Sequence, residues 1–197
     1  MTDEPNASCE CHVEPPASKR PPTQRQIARA QKRRSKQRRR FWVRPRRLWR
    51  AKAAKRTTYS PWTESLMYVI VHHTADPGPR RGDVRRYLRE IQRFHQETRG
   101  WNDIAYNYLI DPEGIVWEGR PFGVVGAHAP GYNTRGIGVC FMGTYTSKEP
   151  SPLQVDAFYD LLRRLEARGV RITDTYPHRR VYATSCPGDG VMEALDL

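Results

Sequence analysis

Between Lys19 and Thr58 the chain carries 18 lysines and arginines and no aspartate or glutamate. A run of that kind cannot collapse on itself, because it adds repulsion faster than it adds apolar surface to bury. It divides the 197-residue chain in two. Residues 1–18 hold four acids and no Lys or Arg, whereas residues 59–197 hold 16 basic and 17 acidic residues. The net charge of +13 is therefore a property of an N-terminal arm, and what remains is a near-neutral body of ordinary domain size. We expect residues 1–58 to form a disordered, Arg/Lys-rich arm and residues 59–197 to form one folded domain. Within the arm, "FWVRPRRLWR" at 41–50 interleaves Phe41, Trp42 and Trp49 with arginines. That mixture suits an anionic polymer or a membrane interface, and a merely solvated tail is the alternative. Arginine-rich segments with aromatics also bind nucleic acid without sequence preference, but nothing in the body supports a nucleic-acid function.

The body alternates apolar runs with amphipathic ones. Met67 to Val71 reads as a buried strand. In "GDVRRYLREIQRFHQETRG", residues Val84, Tyr87, Leu88, Ile91 and Phe94 fall at helical spacing, and Gly100 is the expected stop. "IAYNYLI" (104–110) reads as a strand, "DPEG" (111–114) as a turn and "IVWEG" as the paired returning strand. "GIGVCFMG" (136–143) is a further apolar strand. "SPLQ" opens a helix: Ser151 as N-cap, Pro152 in the first position and Gln154 completing a capping box. Phe158, Leu161, Leu162 and Leu165 give that helix its buried stripe, Gly169 ends it, and "VRIT" forms a short last strand. The order β-α-β-β-β-α-β predicts an α/β fold with a central mixed sheet flanked by helices.

Polar chemistry concentrates in histidines and one cysteine. Five of the six histidines, His72, His73, His95, His128 and His178, lie in the body. His72 and His73 follow directly on the first strand run. Neighbours on a strand point to opposite faces, so the two cannot share a role. Cys186 lies eight residues beyond His178 in "HRRVYATSCPG". Two histidines and a cysteine would make a three-ligand zinc site with one position open, the arrangement of catalytic rather than structural zinc. From spacing alone that signal is weak, and histidines of this kind are more often surface or hydrogen-bonded core residues. Cys140 sits mid-strand and reads as buried and inert. "CECH" at 9–12 lacks a second pair of ligands. The four cysteines, Cys9, Cys11, Cys140 and Cys186, do not have the dense spacing of a disulfide-stapled secreted domain.

Four blocks occur in order: "VHHTAD", "RFHQETRGWNDIAYNYLIDPEGIVWEGRP", "GAHAPGYNTRGIGVCFMGTY" and "HRRVYATSCPG". Together they resemble the type 2 N-acetylmuramoyl-L-alanine amidases, a family that includes T7-type lysozymes and peptidoglycan recognition proteins. The resemblance covers roughly residues 60 to 190. It implies one Zn²⁺ held by His72, His178 and Cys186, with Tyr106 assisting the attacking water and Thr184 completing the site. Thr184 stands where other members carry Lys or Thr, so no cationic side chain is supplied there. It also implies a substrate groove, to which we assign His128, Asn107, Trp101 and Arg135. His73 and His95 are expected to be supporting or structural. The reaction implied is zinc-assisted hydrolysis of the amide between N-acetylmuramic acid and L-alanine.

Family members that only recognise peptidoglycan commonly lack the cysteine, so Cys186 favours hydrolysis over a non-catalytic recognition module. "MTDEPNASCECHVEPP" has neither a positive n-region nor an apolar h-region, so no Sec signal is expected. There is also no cysteine pair near the first helix, such as the animal recognition proteins use. These features resemble an endolysin, made in the cytoplasm and acting on the wall after release. Residues 19–58 would then draw a monomeric enzyme to anionic envelope or wall polymers in a salt-sensitive way. On this reading, deleting residues 1–58 leaves activity on soluble muropeptide intact.

Overall fold

The computed structural model describes residues 43–56, 59–62 and 66–197. In chain order the elements are β1 (Val43–Arg44), α1 (Arg46–Trp49), β2 (Leu66–His73), α2 (Val84–Arg93), β3 (Tyr108–Ile110), β4 (Val116–Glu118), β5 (Gly136–Phe141), α3 (Pro152–Glu166), β6 (Arg171–Pro177), α4 (His178–Val181) and α5 (Asp189–Leu195). A π-helical turn, Phe94–Thr98, extends α2. The six strands form one sheet in the order β1-β4-β3-β5-β2-β6. Only β3 and β4 pair antiparallel, joined by the tight "DPEG" turn; the other neighbours run parallel. The expected mixed α/β sheet is the fold observed.

Strand alternation sorts the core onto two faces. On one face Met67, Val69 and Val71 of β2 join Ile137, Val139 and Phe141 of β5 beneath Phe158, Leu161 and Leu165 of α3 and Val191 and Leu195 of α5. On the other, Leu109, Trp117, Cys140 and Met142 pack with Val84 and Leu88 of α2 and with Trp49 and Ile104. The α3 capping box forms as expected: Ser151 Oγ accepts from Gln154 N at 3.2 Å, and Gln154 Oε1 accepts from Ser151 N at 3.1 Å.

Three local expectations need correction. Of "IAYNYLI", only Tyr108–Ile110 is strand. Ahead of it Asn107 clasps β5, its N–H donating to Gly138 O and its Oδ1 accepting from Gly138 N, so the chain bends instead of laddering. Helix α2 does not keep its apolar stripe to the end. Arg99 N donates to Phe94 O in the wider π turn, which rotates the register. Phe94, which precedes the shift, is 46% exposed, while His95 and Gln96 turn inward. The last strand, β6, runs to Pro177, well past "VRIT".

The larger correction concerns the arm. Residues 43–56 are built into the domain through Trp49 and Arg46, although Arg47, Arg50, Lys52, Lys55 and Arg56 stay exposed. β1 pairs in parallel with β4 and covers that sheet edge. Trp49 is 0% exposed, and its indole N–H donates to Glu118 O at 2.8 Å. Arg46 pairs with the fully buried carboxylate of Asp103 at 2.8 Å, and its backbone N–H donates to Glu118 Oε2 at 3.0 Å. Gln92 takes both the N–H and the carbonyl of Lys52. Repulsion within the basic run is offset here by acids that the body supplies. The remaining expectations for residues 1–42, including "CECH" and the charge-driven targeting, lie outside the described residues. Among the described residues no helix is long and apolar enough to cross a membrane.

Candidate metal centre

β2 carries His72 to its C-terminal end, on the same face as its register partner Cys140 of β5. The neighbouring strand β6 ends at Pro177, which is extended and serves as the N-cap of α4, starting at His178. Hydrogen bonds then fold the following loop back onto that helix. Arg179 N donates to Cys186 O at 2.8 Å, Arg179 Nη1 pairs with Asp189 Oδ1 at 2.6 Å, and Arg179 Nη2 donates to Ser185 O. Thr184 Oγ1 accepts from Cys186 N at 3.2 Å. Cys186 is thus returned to β2, where its sulfur accepts from His73 N at 3.4 Å and lies 3.7 Å from His72 Nδ1.

The result is one convergent donor set. His72, His178 and Cys186 each offer a ligand atom, all within 4.8 Å of one another. The His72 and His178 rings lie 4.4 Å apart, centroid to centroid. His178 Nε2 is buried with no hydrogen-bond partner among the described residues. Such an orphan costs about 1–3 kcal/mol, and a cation held by the set would remove that cost. Two imidazoles and a thiolate are the donors that Zn²⁺ favours. The residues present therefore fit the ion.

Electrostatics prepare the same set. Burial, reinforced by His128, His178 and His73, holds His72 well below the usual imidazole range, and burial lowers His178 as well. Burial raises the Cys186 thiol to about 11, against the opposing pull of the His73 N–H and the Arg179 guanidinium. Near neutral pH both histidines are then ready as neutral ligands, and only the thiol must lose a proton. Zinc uptake should release one proton, so apparent affinity should rise about tenfold per pH unit between pH 7 and 9. Calorimetric titration in buffers of different ionisation enthalpy counts that proton. A flat profile would remove Cys186 from the ligand set.

The other sequence-assigned residues separate into two groups. Tyr106 stands beside the donors, its ring 5.1 Å from that of His72. Burial, with Cys140 and Cys186 adding to it, raises its phenol well above the usual range, so it stays protonated. Trp101 remains half-exposed and meets the His95 ring at 4.9 Å in a tilted contact, and His95 in turn meets Tyr106 edge-on at 5.7 Å. Arg135 also stays accessible, its guanidinium over the Tyr68 and Tyr132 rings at 5.4 and 5.3 Å. Two groove assignments are corrected. Asn107 is fully buried and spends its amide on Gly138 and Pro121. His128 is only 6% exposed and faces His72, not solvent. Burial lowers it to about 4, with its bond to Gly136 opposing. His73 points to the α3 face, where Nδ1 accepts from Tyr145 N at 3.2 Å. Cys140 is fully buried. A cavity of about 660 Å³ lies elsewhere, lined by Tyr159, Leu162, Ile172 and Arg180, and includes none of the three donors.

Comparison with known proteins gives a consistent result. A family model described as N-acetylmuramoyl-L-alanine amidase matches residues 62–189. The human N-acetylmuramoyl-L-alanine amidase is 38% identical over 136 residues, which are 66% of this chain and 24% of that protein. The chain thus spans about a quarter of that relative's length. Peptidoglycan-recognition protein SC2 of Drosophila melanogaster is 35% identical over 150 residues, covering 75% of this chain and 80% of the relative. Among solved structures, peptidoglycan recognition protein-LE in complex with tracheal cytotoxin superposes with a TM-score of 0.72 at 32% identity, over 78% of this chain and 92% of the other.

Proposed function

The chain belongs to the N-acetylmuramoyl-L-alanine amidase family, and from that premise we propose that it is a zinc-dependent hydrolase of the amide joining N-acetylmuramic acid to L-alanine in peptidoglycan. The observation that carries this reading is the convergence of His72, His178 and Cys186 around the unpartnered His178 Nε2. Relatives bear the names of both amidases and recognition proteins, so membership alone does not choose between cleavage and binding. A pure recognition module has no need of a half-buried thiol beside two neutral imidazoles.

When bound, Zn²⁺ supplies Lewis acidity towards a carbonyl oxygen and towards water. The protein supplies the rest. His72, His178 and Cys186 would hold the ion at the end of β2. Tyr106, kept protonated by burial, has a hydroxyl proton to donate, which suits it to orient the attacking water or to steady charge developing on the lactyl oxygen. Thr184 has committed its oxygen to Cys186 N as an acceptor, so its hydroxyl proton is the part that can face the oxyanion. Trp101 and Arg135 are the accessible groups left to contact the substrate.

Purified peptidoglycan incubated with the zinc-loaded protein should gain free L-alanine amino termini, read by amino-group labelling and mass spectrometry of the products. A chelator should stop their release, and added zinc should restore it. Retention of the protein on peptidoglycan without any chelator-sensitive release would establish the recognition module instead.

A further inference from the structure

His128 lies 56 residues from His72 in sequence and is in direct contact with it in the fold. His72 Nε2 and His128 Nδ1 are 3.1 Å apart, and His128 Nε2 lies 3.1 Å from Gly136 O. The two rings meet nearly at right angles, 83° between planes. We infer that His128 is a positioning residue of the metal centre: it fixes the tautomer and ring plane that turn His72 Nδ1 towards Cys186 and His178. The inference rests on the proposed role of His72 as a metal ligand.

The hydrogen-bond directions follow from what each atom is able to do. Gly136 O can only accept, so His128 Nε2 must carry the proton. In the neutral ring His128 Nδ1 is then the acceptor. His72 Nε2 must therefore carry its own proton and donate it to His128. That leaves the lone pair of His72 on Nδ1, the atom 3.7 Å from Cys186 Sγ. A chain of two donated protons, ending on a backbone carbonyl, thus selects the one tautomer of His72 that can bind a cation on the side of the other two donors. Holding a ligating histidine through its far nitrogen is a common way to orient a metal ligand.

The chain also makes room for this ring and little else. A Cβ on Gly126 would stand 2.6 Å from His128 Cδ2, and one on Gly138 would stand 2.7 Å from Cδ2 and Cγ. A Cβ on Gly136 would be 3.3 Å from Cε1. Gly126 and Gly138 thus form a cradle shaped to the imidazole, while at Gly136 the tighter limit is Tyr132 O at 2.6 Å. The backbone at His128 is clamped as well, since Asn133 Oδ1 accepts from both His128 N (2.8 Å) and Ala129 N (3.0 Å). A ring held at both nitrogens and on its flanks cannot swing out towards a substrate.

Two variants and one measurement on the unaltered full chain test this. His128→Phe keeps a ring in the cradle and removes both hydrogen bonds. His128→Asn places an amide oxygen near the Nδ1 position and restores the acceptor for His72. Zinc affinity, measured by competition with a chromogenic chelator, should fall about 10- to 100-fold in His128→Phe. In His128→Asn it should stay within about threefold of the unaltered protein. Equal affinity in His128→Phe and the unaltered chain, or an equal loss in both variants, would overturn the inference. Long-range ¹H–¹⁵N correlation spectra of the metal-free, unaltered chain decide the case even if a variant fails to fold. His72 and His128 should both appear as the Nε2–H tautomer, and an Nδ1–H signal for either would overturn the proposal. Zinc content of the unaltered protein reports separately on the amidase reading, so failure of one is not mistaken for failure of the other.

Discussion

Replacing His72 with alanine should abolish zinc binding and peptidoglycan hydrolysis, whereas replacing His73 with alanine should leave most of the zinc in place. The two residues are adjacent on β2, and alternation sends them to opposite faces of the sheet. His72 enters the donor set with His178 and Cys186. Removing one of three protein ligands should weaken zinc by on the order of a hundredfold or more, taking structural sites of about 10–16 kcal/mol as a guide to the share each ligand carries. It also leaves His128 Nδ1 buried without its partner. The His73 side chain instead accepts from Tyr145 N beneath α3. Its contribution to Cys186 is the backbone N–H, which alanine retains. His73→Ala should therefore cost about 1 kcal/mol of fold stability for the lost bond and little affinity. Metal content by atomic emission after dialysis reads both variants directly. Zinc lost from His73→Ala and kept by His72→Ala would mean that the other face of β2 carries the chemistry.

A chain beginning at Tyr59 should fail to fold stably, because the basic segment before it is part of the core. Such a chain lacks Trp49, which fills the space against Leu88, Ile104 and Trp117. Deleting a buried tryptophan side chain alone costs about 3–5 kcal/mol. It also lacks Arg46, the salt-bridge partner of the fully buried Asp103 carboxylate, which is then left to the Tyr59 hydroxyl and the Gln92 amide, and removing one member of a buried pair costs up to about 3–5 kcal/mol. β4 loses its edge partner, and Gln92 loses both of its bonds to Lys52. These losses together rival the whole stability of an ordinary domain, about 5–15 kcal/mol. Trp49→Ala in the full chain isolates the first term and should lower the melting temperature by about 6–20 °C, since about 1 kcal/mol moves a domain of this size by roughly 2–4 °C. Thermal unfolding followed by circular dichroism measures both. A chain starting at Tyr59 that melts within a few degrees of the full protein would restore the boundary that the charge run suggests.

The contrast between these two cases marks where sequence reading succeeds. Whatever depends on near neighbours was legible. The apolar run before His72 forms a buried strand, and alternation separates His72 from His73. The Ser151–Gln154 spacing caps α3, and the "DPEG" turn joins β3 to β4. The four ordered blocks also selected three residues, 106 and 8 positions apart, that the fold brings within 4.8 Å. The resemblance supplied that selection, for spacing alone left it open.

Whatever depends on a distant partner was hidden. Arg46 and Trp49 looked like members of a repelling tail because the groups that neutralise and cover them, Asp103 and Glu118, lie 57 to 72 residues away. His128 looked like a groove residue because nothing nearby in sequence announces that His72 waits for its Nδ1. The only local hint was glycine on both sides of it, at 126, 136 and 138, and a glycine names no partner. Phe94 kept helical spacing yet faces outward, and the π turn after it carries His95 and Gln96 inward instead. By itself, then, the sequence determined the periodicities, the caps and the identity of the metal-ligand types, since each follows from covalent geometry and short-range hydrogen bonding. Only the tertiary structure decided which charges are paired, where the domain begins and which nitrogen of His72 faces the site. Those outcomes turn on desolvation and hydrogen-bond partners that meet only when the sheet has closed.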